Sequence, residues 1–305
     1  MKIRGAGRIA RAAAQGLRIA AYNYRGDNAE DFRQYINGIA EYLRSTRPTA
    51  VSLPNAIIFI LHRLSMALSD NVDELKEVVI KSANEFIEYS KKATDNIGVI
   101  GAKRIEDGDN ILTHCNSSAA LSVIIHAFKE GKKIKVYNTE TRPKFQGYIT
   151  ARKLLKVGIK TTLITDSAVR AFMKKIDKII VGADTVAANG AVVNKIGTSQ
   201  IALAAKEANV DFYVAAETYK FSPATVLGEY ITIEERSPKE VIRNIEVPSN
   251  IIIRNPAFDV TPPEYIDAII TELGIIPPQA SILVLKEHYG WAIRDYLLKE
   301  LSIDE

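Results

Sequence analysis

The chain has 305 residues, 47% of them hydrophobic and 25% charged, which is about two domains at roughly 100 to 200 residues each and enough apolar material for a sizeable core. That composition excludes a disordered tail protein, and a formal net charge of +4 does not call for a nucleic-acid or membrane-surface partner, while leaving a small anionic metabolite open. The single cysteine, Cys115, excludes an internal disulfide and a multi-cysteine zinc cluster, and it fits a cytoplasmic setting.

At the N-terminus, Arg4, Arg8, Arg11, Arg18 and Arg25 precede the first acid, Asp27. Organellar transit peptides share this bias; a retained segment, whose arginines are then available for another role, is the expected reading. Gly5-Ala6-Gly7-Arg8 fits the dinucleotide fingerprint as a string, yet that fingerprint needs a preceding strand, and too little chain precedes Gly5 to supply one. A glycine-rich turn opening a helix still offers backbone N–H groups to a phosphate, with Arg4 beside it; the alternative is a plain helix start.

Apolar residues at three- and four-residue spacing predict helices over 8–22, 28–44, 53–69 and 72–93. No apolar run approaches the roughly 18 residues of a membrane span, since the richest, 56–61, is broken by His62 and Arg63. A boundary is expected within 92–109, where Gly98, Gly101 and Gly108 gather with polar residues. Beyond it, short Ile- and Val-rich runs at 110–113, 133–138, 160–164, 178–181, 211–215, 251–253 and 281–285 read as strands between helical stretches. That alternation predicts βαβ units and a mostly parallel sheet. Pro256, Pro262, Pro263, Pro277 and Pro278 mark irregular connections.

Cys115 follows the 110–113 run and precedes a helical pattern over 119–129, with Asn116, Ser117 and Ser118 as candidate caps. This puts it at a strand's carboxyl end, the edge where open α/β sheets bind ligands. A helix N-terminus there would favour the thiolate; the alternative is a buried cysteine used as a small hydrophobe. His114 reads as structural, because neighbours on a strand point to opposite faces. Asp184 occupies a similar junction after 178–181, where an apolar setting would suit a general acid, with turn capping as the alternative. The run 191–199 combines a short strand, Lys195 and a Gly197-Thr198-Ser199 helix start, and so resembles a second anion cradle. Thr139-Glu140-Thr141-Arg142-Pro143 follows another strand, and Arg47 lies between two predicted helices. A thiol, a carboxylate and several cations on loops that a parallel sheet would gather point to acid–base chemistry on a phosphorylated small molecule.

Taken in order, Arg4-Gly5-Ala6, Arg47-Pro48-Thr49-Ala50-Val51, Thr113-His114-Cys115-Asn116, Glu140-Thr141-Arg142-Pro143 with Gln146-Gly147, Gly182-Ala183-Asp184 with Asn189-Gly190, Asn194-Lys195-Ile196-Gly197-Thr198 and Asn255-Pro256-Ala257-Phe258-Asp259 span nearly the whole chain. They resemble the family joining methylthioribose-1-phosphate isomerase, archaeal ribose-1,5-bisphosphate isomerase and the regulatory subunits of the exchange factor for eukaryotic initiation factor two. The resemblance is closest to the bisphosphate branch; methylthioribose enzymes usually carry proline where Gly7 stands here.

The resemblance implies an α/β fold, with a helical domain over 1–100 and a Rossmann-like, mostly parallel sheet domain for catalysis and oligomerisation over 101–305. It implies a catalytic pair at Cys115 and Asp184, and sugar-phosphate contacts at Arg4, Gly5, Ala6, Gly7, Arg47, Asn194, Lys195, Ile196 and Lys220. The expected reaction takes ribose 1,5-bisphosphate to ribulose 1,5-bisphosphate in AMP breakdown, with no metal or redox cofactor. A homo-oligomer is implied, a hexamer built as a trimer of dimers, with AMP carried from this branch as a candidate activator and neither nucleic acid nor membrane as partner. The rival readings are methylthioribose-1-phosphate isomerase and a non-catalytic regulatory binding module.

Overall fold

The computed structural model describes residues 3, 5–47, 51–242, 246–248 and 250–301. The chain divides into two compact units, residues 1–93 and 94–305.

In the first unit, α1 (Ala6–Asn23), α2 (Ala29–Ser45) and α3 (Ser52–Ser65) are followed by α4 (Val72–Ala102), within which the division falls. Helix α1 buries Ile9, Ala10, Ala13, Ala14, Leu17, Ala20 and Ala21, a helical stripe whose alanines permit close packing. Its partner α3 buries Leu53, Ala56, Ile57, Ile60 and Leu64. The Asn28 side chain caps α2 by accepting from the Asp31 N–H at 3.0 Å. Arg33 donates to the carbonyls of Leu64 at 2.5 Å and Ala67 at 2.6 Å, satisfying acceptors that the end of α3 leaves over.

Helix α4 runs nine residues past its predicted end at Ala93, through the segment read as a linker. The glycines there serve close packing. A Cβ on Gly98 would stand 2.3 Å from Ser122 Oγ, and one on Gly101 would stand 2.5 Å from Val123 Cγ2. Both positions must lack a side chain for α4 to lie against the helix carrying Ser122 and Val123.

The second unit runs β1 (Asn110–Thr113), α5 (Ser118–Lys129), β2 (Lys135–Thr139), α6 (Gly147–Val157), β3 (Lys160–Ile164), α7 (Val169–Phe172), β4 (Lys178–Gly182), β5 (Thr185–Val186), β6 (Val192–Lys195), α8 (Thr198–Ala208), β7 (Asp211–Ala215), α9 (Lys239–Ile242), β8 (Phe258–Thr261), β9 (Ala268–Thr271), β10 (Gly274–Ile276) and α10 (Ser281–Leu301). Seven strands form one sheet in the order β10-β9-β7-β4-β1-β2-β3, parallel except for the β10–β9 pair. The chain builds outward from β1 through β2 to β3, then crosses to β4 on the other side, so β1 and β4 flank the topological switch point. Strands β5, β6 and β8 form a separate antiparallel sheet. Ile111 on β1 and Ile180 on β4 share one apolar core with the helix residues Ile97, Val123, Ile124 and Leu154.

Two predicted strands are corrected. Residues 251–253 form no strand: Ile251 and Ile252 are 52% and 88% exposed, and the neighbouring Asn255 N–H bonds the Glu235 side chain. Residues 281–285 open α10, with Ser281, Val284 and Leu285 buried while Ile282 and Leu283 face out, the three- and four-residue spacing of a helix. Strands β9 and β10 supply that side of the sheet instead. Among the described residues, no helix is long and apolar enough to cross a membrane.

Candidate active site

Cys115 lies two residues past the end of β1, and Asp184 two residues past the end of β4. Because these strands are neighbours and parallel, both residues emerge at one edge of the sheet, at its switch point. Gly182 helps them converge: a Cβ there would stand 2.2 Å from the Oγ of Ser117. Ser117 is the N-cap of α5 and accepts from the Ala120 N–H at 3.3 Å.

Cys115 has φ 65°, in the left-handed region, and is held at both backbone groups. Its N–H donates to Thr141 Oγ1 at 2.9 Å, and its carbonyl accepts from Thr150 Oγ1 at 2.8 Å. Thr141, itself at φ 61°, is fixed by Asp166, whose carboxylate accepts from the Thr141 N–H at 2.8 Å and the Arg142 N–H at 2.7 Å.

Asp184 is tied to the small sheet through its N–H, which donates to the Val193 carbonyl at 2.9 Å. On β6, Asn194 and Lys195 are both 6% exposed. Lys195 donates from Nζ to the Ala257 carbonyl at 2.7 Å and lies 4.4 Å from the centre of the Phe258 ring, its register partner on β8. Asn194 donates to Thr198 Oγ1 at 3.0 Å. Ile196 donates its N–H to the Ala257 carbonyl at 3.1 Å.

The electrostatics link these groups. Burial pushes the Cys115 thiol up to about 11; Lys195 pulls it down, the Asp184 carboxylate pushes it further up, and the Asn116 N–H and Arg236 pull down more weakly. The expectation that a helix N-terminus would favour the Cys115 thiolate is therefore corrected: burial is the largest influence on the thiol, and it raises it. Burial also holds the Lys195 ammonium below its ordinary value, against the opposing pull of Cys115 and Asp184.

The Gly197-Thr198-Ser199 cradle is also corrected, because the chain fills it. Gly197 has φ 100°, and the N–H groups of Gly197 and Ser199 donate to Asp259 Oδ2 at 2.7 and 3.1 Å. Lys220, 5% exposed, pairs with Glu217 at 2.5 Å, so its charge is already balanced. Burial alone would raise the Glu217 carboxyl, but Lys220 overrides it and holds it low.

In the first unit, Gly5 has φ 91° and opens α1, whose first turn contains Ala6 and Gly7, no acid and no side-chain cap. Arg47 follows α2, its N–H donating to the Arg44 carbonyl at 3.1 Å. Arg4 lies outside the described residues.

The Initiation factor 2 subunit family matches residues 2–278. The chain belongs to this family. Two similar members are ribose 1,5-bisphosphate isomerases: that of Methanocaldococcus jannaschii is 56% identical over 95% of this chain and 92% of its own length. That of Thermococcus kodakarensis is 54% identical over 96% of this chain and 93% of its own length. The solved structure of translation initiation factor eIF-2B from Pyrococcus horikoshii OT3 superposes with a TM-score of 0.79 at 35% identity, covering 92% of this chain and 94% of its own.

Within this family fold, the structure adds residues that the motif reading did not assign to the site. Arg236 acts on both Cys115 and Lys195 and bonds Glu234 at 3.2 Å. The Glu234 carbonyl accepts from the Ala257 N–H at 2.8 Å, which places this loop beside the lysine's anchor. No local signal marks Arg236, which sits in a charged stretch with no adjoining strand. Asp259 ends a string already singled out, but its role depends on the pairing of β8 with β6.

Proposed function

We propose that this chain is an intramolecular oxidoreductase that converts α-D-ribose 1,5-bisphosphate to D-ribulose 1,5-bisphosphate. The observation that carries the reading is one thiol and one carboxylate, Cys115 and Asp184, at the ends of adjacent parallel strands and in electrostatic reach of buried Lys195. The two isomerase relatives supply the substrate class.

A phosphate on C1 blocks the free aldehyde that ordinary aldose–ketose isomerases use, so the sugar ring must open with phosphate retained. In the proposed scheme Asp184, protonated, gives its proton to the ring oxygen as the bond from C1 to that oxygen breaks. Cys115, as thiolate, takes the proton from C2, leaving a C1–C2 double bond that bears the phosphate on C1 and the hydroxyl on C2. Cys115 then returns a proton to C1 while the Asp184 carboxylate takes the O2 proton, giving the ketose. Protons balance between substrate and the two side chains, so the scheme draws on no metal or redox cofactor. The active form carries the thiol's proton on Asp184. That exchange leaves net charge unchanged and removes the push of the Asp184 carboxylate on the thiol.

Lys195 offsets the negative charge that develops, with Asn194 and Ile196 as further sugar-phosphate contacts. The N–H groups opening α1 at Gly5, Ala6 and Gly7, together with Arg4 and Arg47, are proposed phosphate ligands. Lys220 is proposed to share its charge between Glu217 and phosphate. We also propose that residues 1–100 and 101–305 act as the helical domain and the catalytic and oligomerisation domain, that the enzyme is a cytoplasmic homohexamer, and that AMP activates it.

Phosphorus NMR of the purified protein with the α anomer of ribose 1,5-bisphosphate tests the reading. Formation of ribulose 1,5-bisphosphate is expected. Conversion of methylthioribose 1-phosphate instead would transfer the assignment to the rival isomerase, and inertness toward both, with and without AMP, would favour a binding module.

A further inference from the structure

His114 lies between the catalytic cysteine and the substrate-binding turn, and the scheme above gives it no part. Its ring is 1% exposed. Nε2 is 2.9 Å from the Ile196 carbonyl oxygen, and Nδ1 is 2.6 Å from Thr139 Oγ1. The ring lies against Gly197, where a Cβ would approach Cε1 to 3.3 Å.

The hydrogen positions along this path follow by elimination. A carbonyl only accepts, so Nε2 carries a hydrogen and donates to Ile196. Burial holds the imidazole down to about 4, against weaker upward pulls from Asp166 and the Ile196 carbonyl, so the ring is neutral near pH 7. Nδ1 is then bare, and the Thr139 hydroxyl must donate to it. That leaves a Thr139 lone pair for the Thr141 hydroxyl, 3.3 Å away and nearer to it than its other acceptor, the Thr139 carbonyl at 3.5 Å. Thr141 Oγ1 in turn accepts the Cys115 N–H at 2.9 Å. Every hydrogen points the same way, from Cys115 through Thr141, Thr139 and His114 to Ile196.

We propose that His114, held as the Nε2–H tautomer, is a positioning residue that ends a one-way hydrogen-bond chain setting the Cys115 backbone against the Asn194–Ile196 turn. The chain joins the loops after β1, β2 and β6, and it helps hold Cys115 in a left-handed conformation that a cysteine rarely adopts. Its catalytic meaning rests on the isomerase reading, whereas the tautomer does not.

The test uses the full-length protein with 15N-labelled histidine. The His114 signals are assigned by their loss in His114→Gln, and long-range proton–nitrogen correlations are recorded at pH 7. The expected spectrum shows a protonated Nε2 and a bare Nδ1; an Nδ1–H tautomer or a doubly protonated ring would overturn the proposal. In parallel, Thr139→Val removes the central hydroxyl without changing side-chain shape, and a fall in kcat on the order of ten-fold or more with little change in KM is expected. Thr139→Ser should restore kcat. A valine variant that turns over at the parent rate, or one that loses only KM, would contradict it. If the parent itself lacks isomerase turnover, the isomerase reading fails while the tautomer is still decided by the spectrum.

Discussion

Two helices of this protein begin at a glycine in the left-handed region, and in sequence both look ready to hold an anion. At α1, Gly5 leads into a first turn with no acid and no side-chain cap. At α8, Gly197 and Ser199 already donate to Asp259, a carboxylate of the same chain. The difference lies about sixty residues downstream, in the β6–β8 register that sets Asn194 opposite Asp259. A glycine-led helix start therefore indicates donors, and only long-range pairing decides whether the protein or a ligand occupies them. At α8 the internal carboxylate instead fixes the turn that carries Asn194, Lys195 and Ile196.

The largest effect expected from this contrast is in stability against pH. Burial raises Asp259 from 3.8 to about 6, against the pull of the two N–H donors. A raised carboxyl contributes stability that is full below its unfolded pKa and lost as pH rises through about 6. His114 is depressed from 6.5 to about 4, so its contribution is present above 6.5 and lost as pH falls through about 4. The two slopes oppose one another. Urea unfolding between pH 4 and 7 should show the acid-side loss reduced in His114→Gln by on the order of 3 kcal/mol. In Asp259→Asn, stability should rise with pH more steeply than in the parent, by on the order of 2 kcal/mol after allowance for solvent screening. Parallel profiles for parent and variants would contradict both assignments.

Emptying the filled helix start comes next. Asp259→Ala should cost about 1 to 2 kcal/mol at pH 7, the scale of a lost cap, and should lower turnover because the turn proposed to bind substrate loses its clamp. Unchanged urea midpoint and kcat/KM would show that the carboxylate is incidental. The smallest effect belongs to the open helix start. Gly5→Ala forces a Cβ onto a backbone at φ 91° and should cost about 1 kcal/mol while raising KM for the bisphosphate. A variant with parent stability and KM would contradict the proposed phosphate contacts at the start of α1.

The parts of the molecule that local pattern controls were legible in sequence. The parallel sheet followed from Ile- and Val-rich runs alternating with helices, and the positions of Cys115 and Asp184 at strand ends followed from the same texture. What escaped depends on contacts between distant segments. Gly98 and Gly101 resembled a linker because the side chains filling their missing Cβ volumes, Ser122 and Val123, lie across a helix interface. The run 281–285 was too short for its period to separate strand from helix. The sequence favours a thiolate at Cys115 because a helix end is visible there, whereas desolvation, which raises the thiol, is a property of the fold. Arg236 reaches Cys115 electrostatically from a loop that no motif marks.

The measurement that bears most directly on the Cys115–Asp184 pair is turnover of ribose 1,5-bisphosphate by the parent, Cys115→Ser and Asp184→Asn, followed by phosphorus NMR with circular dichroism to confirm folding. Each substitution should reduce the rate by about a thousand-fold or more, since each removes one of the two proposed proton carriers. A folded variant of either kind that works at the parent rate would contradict the pair's role.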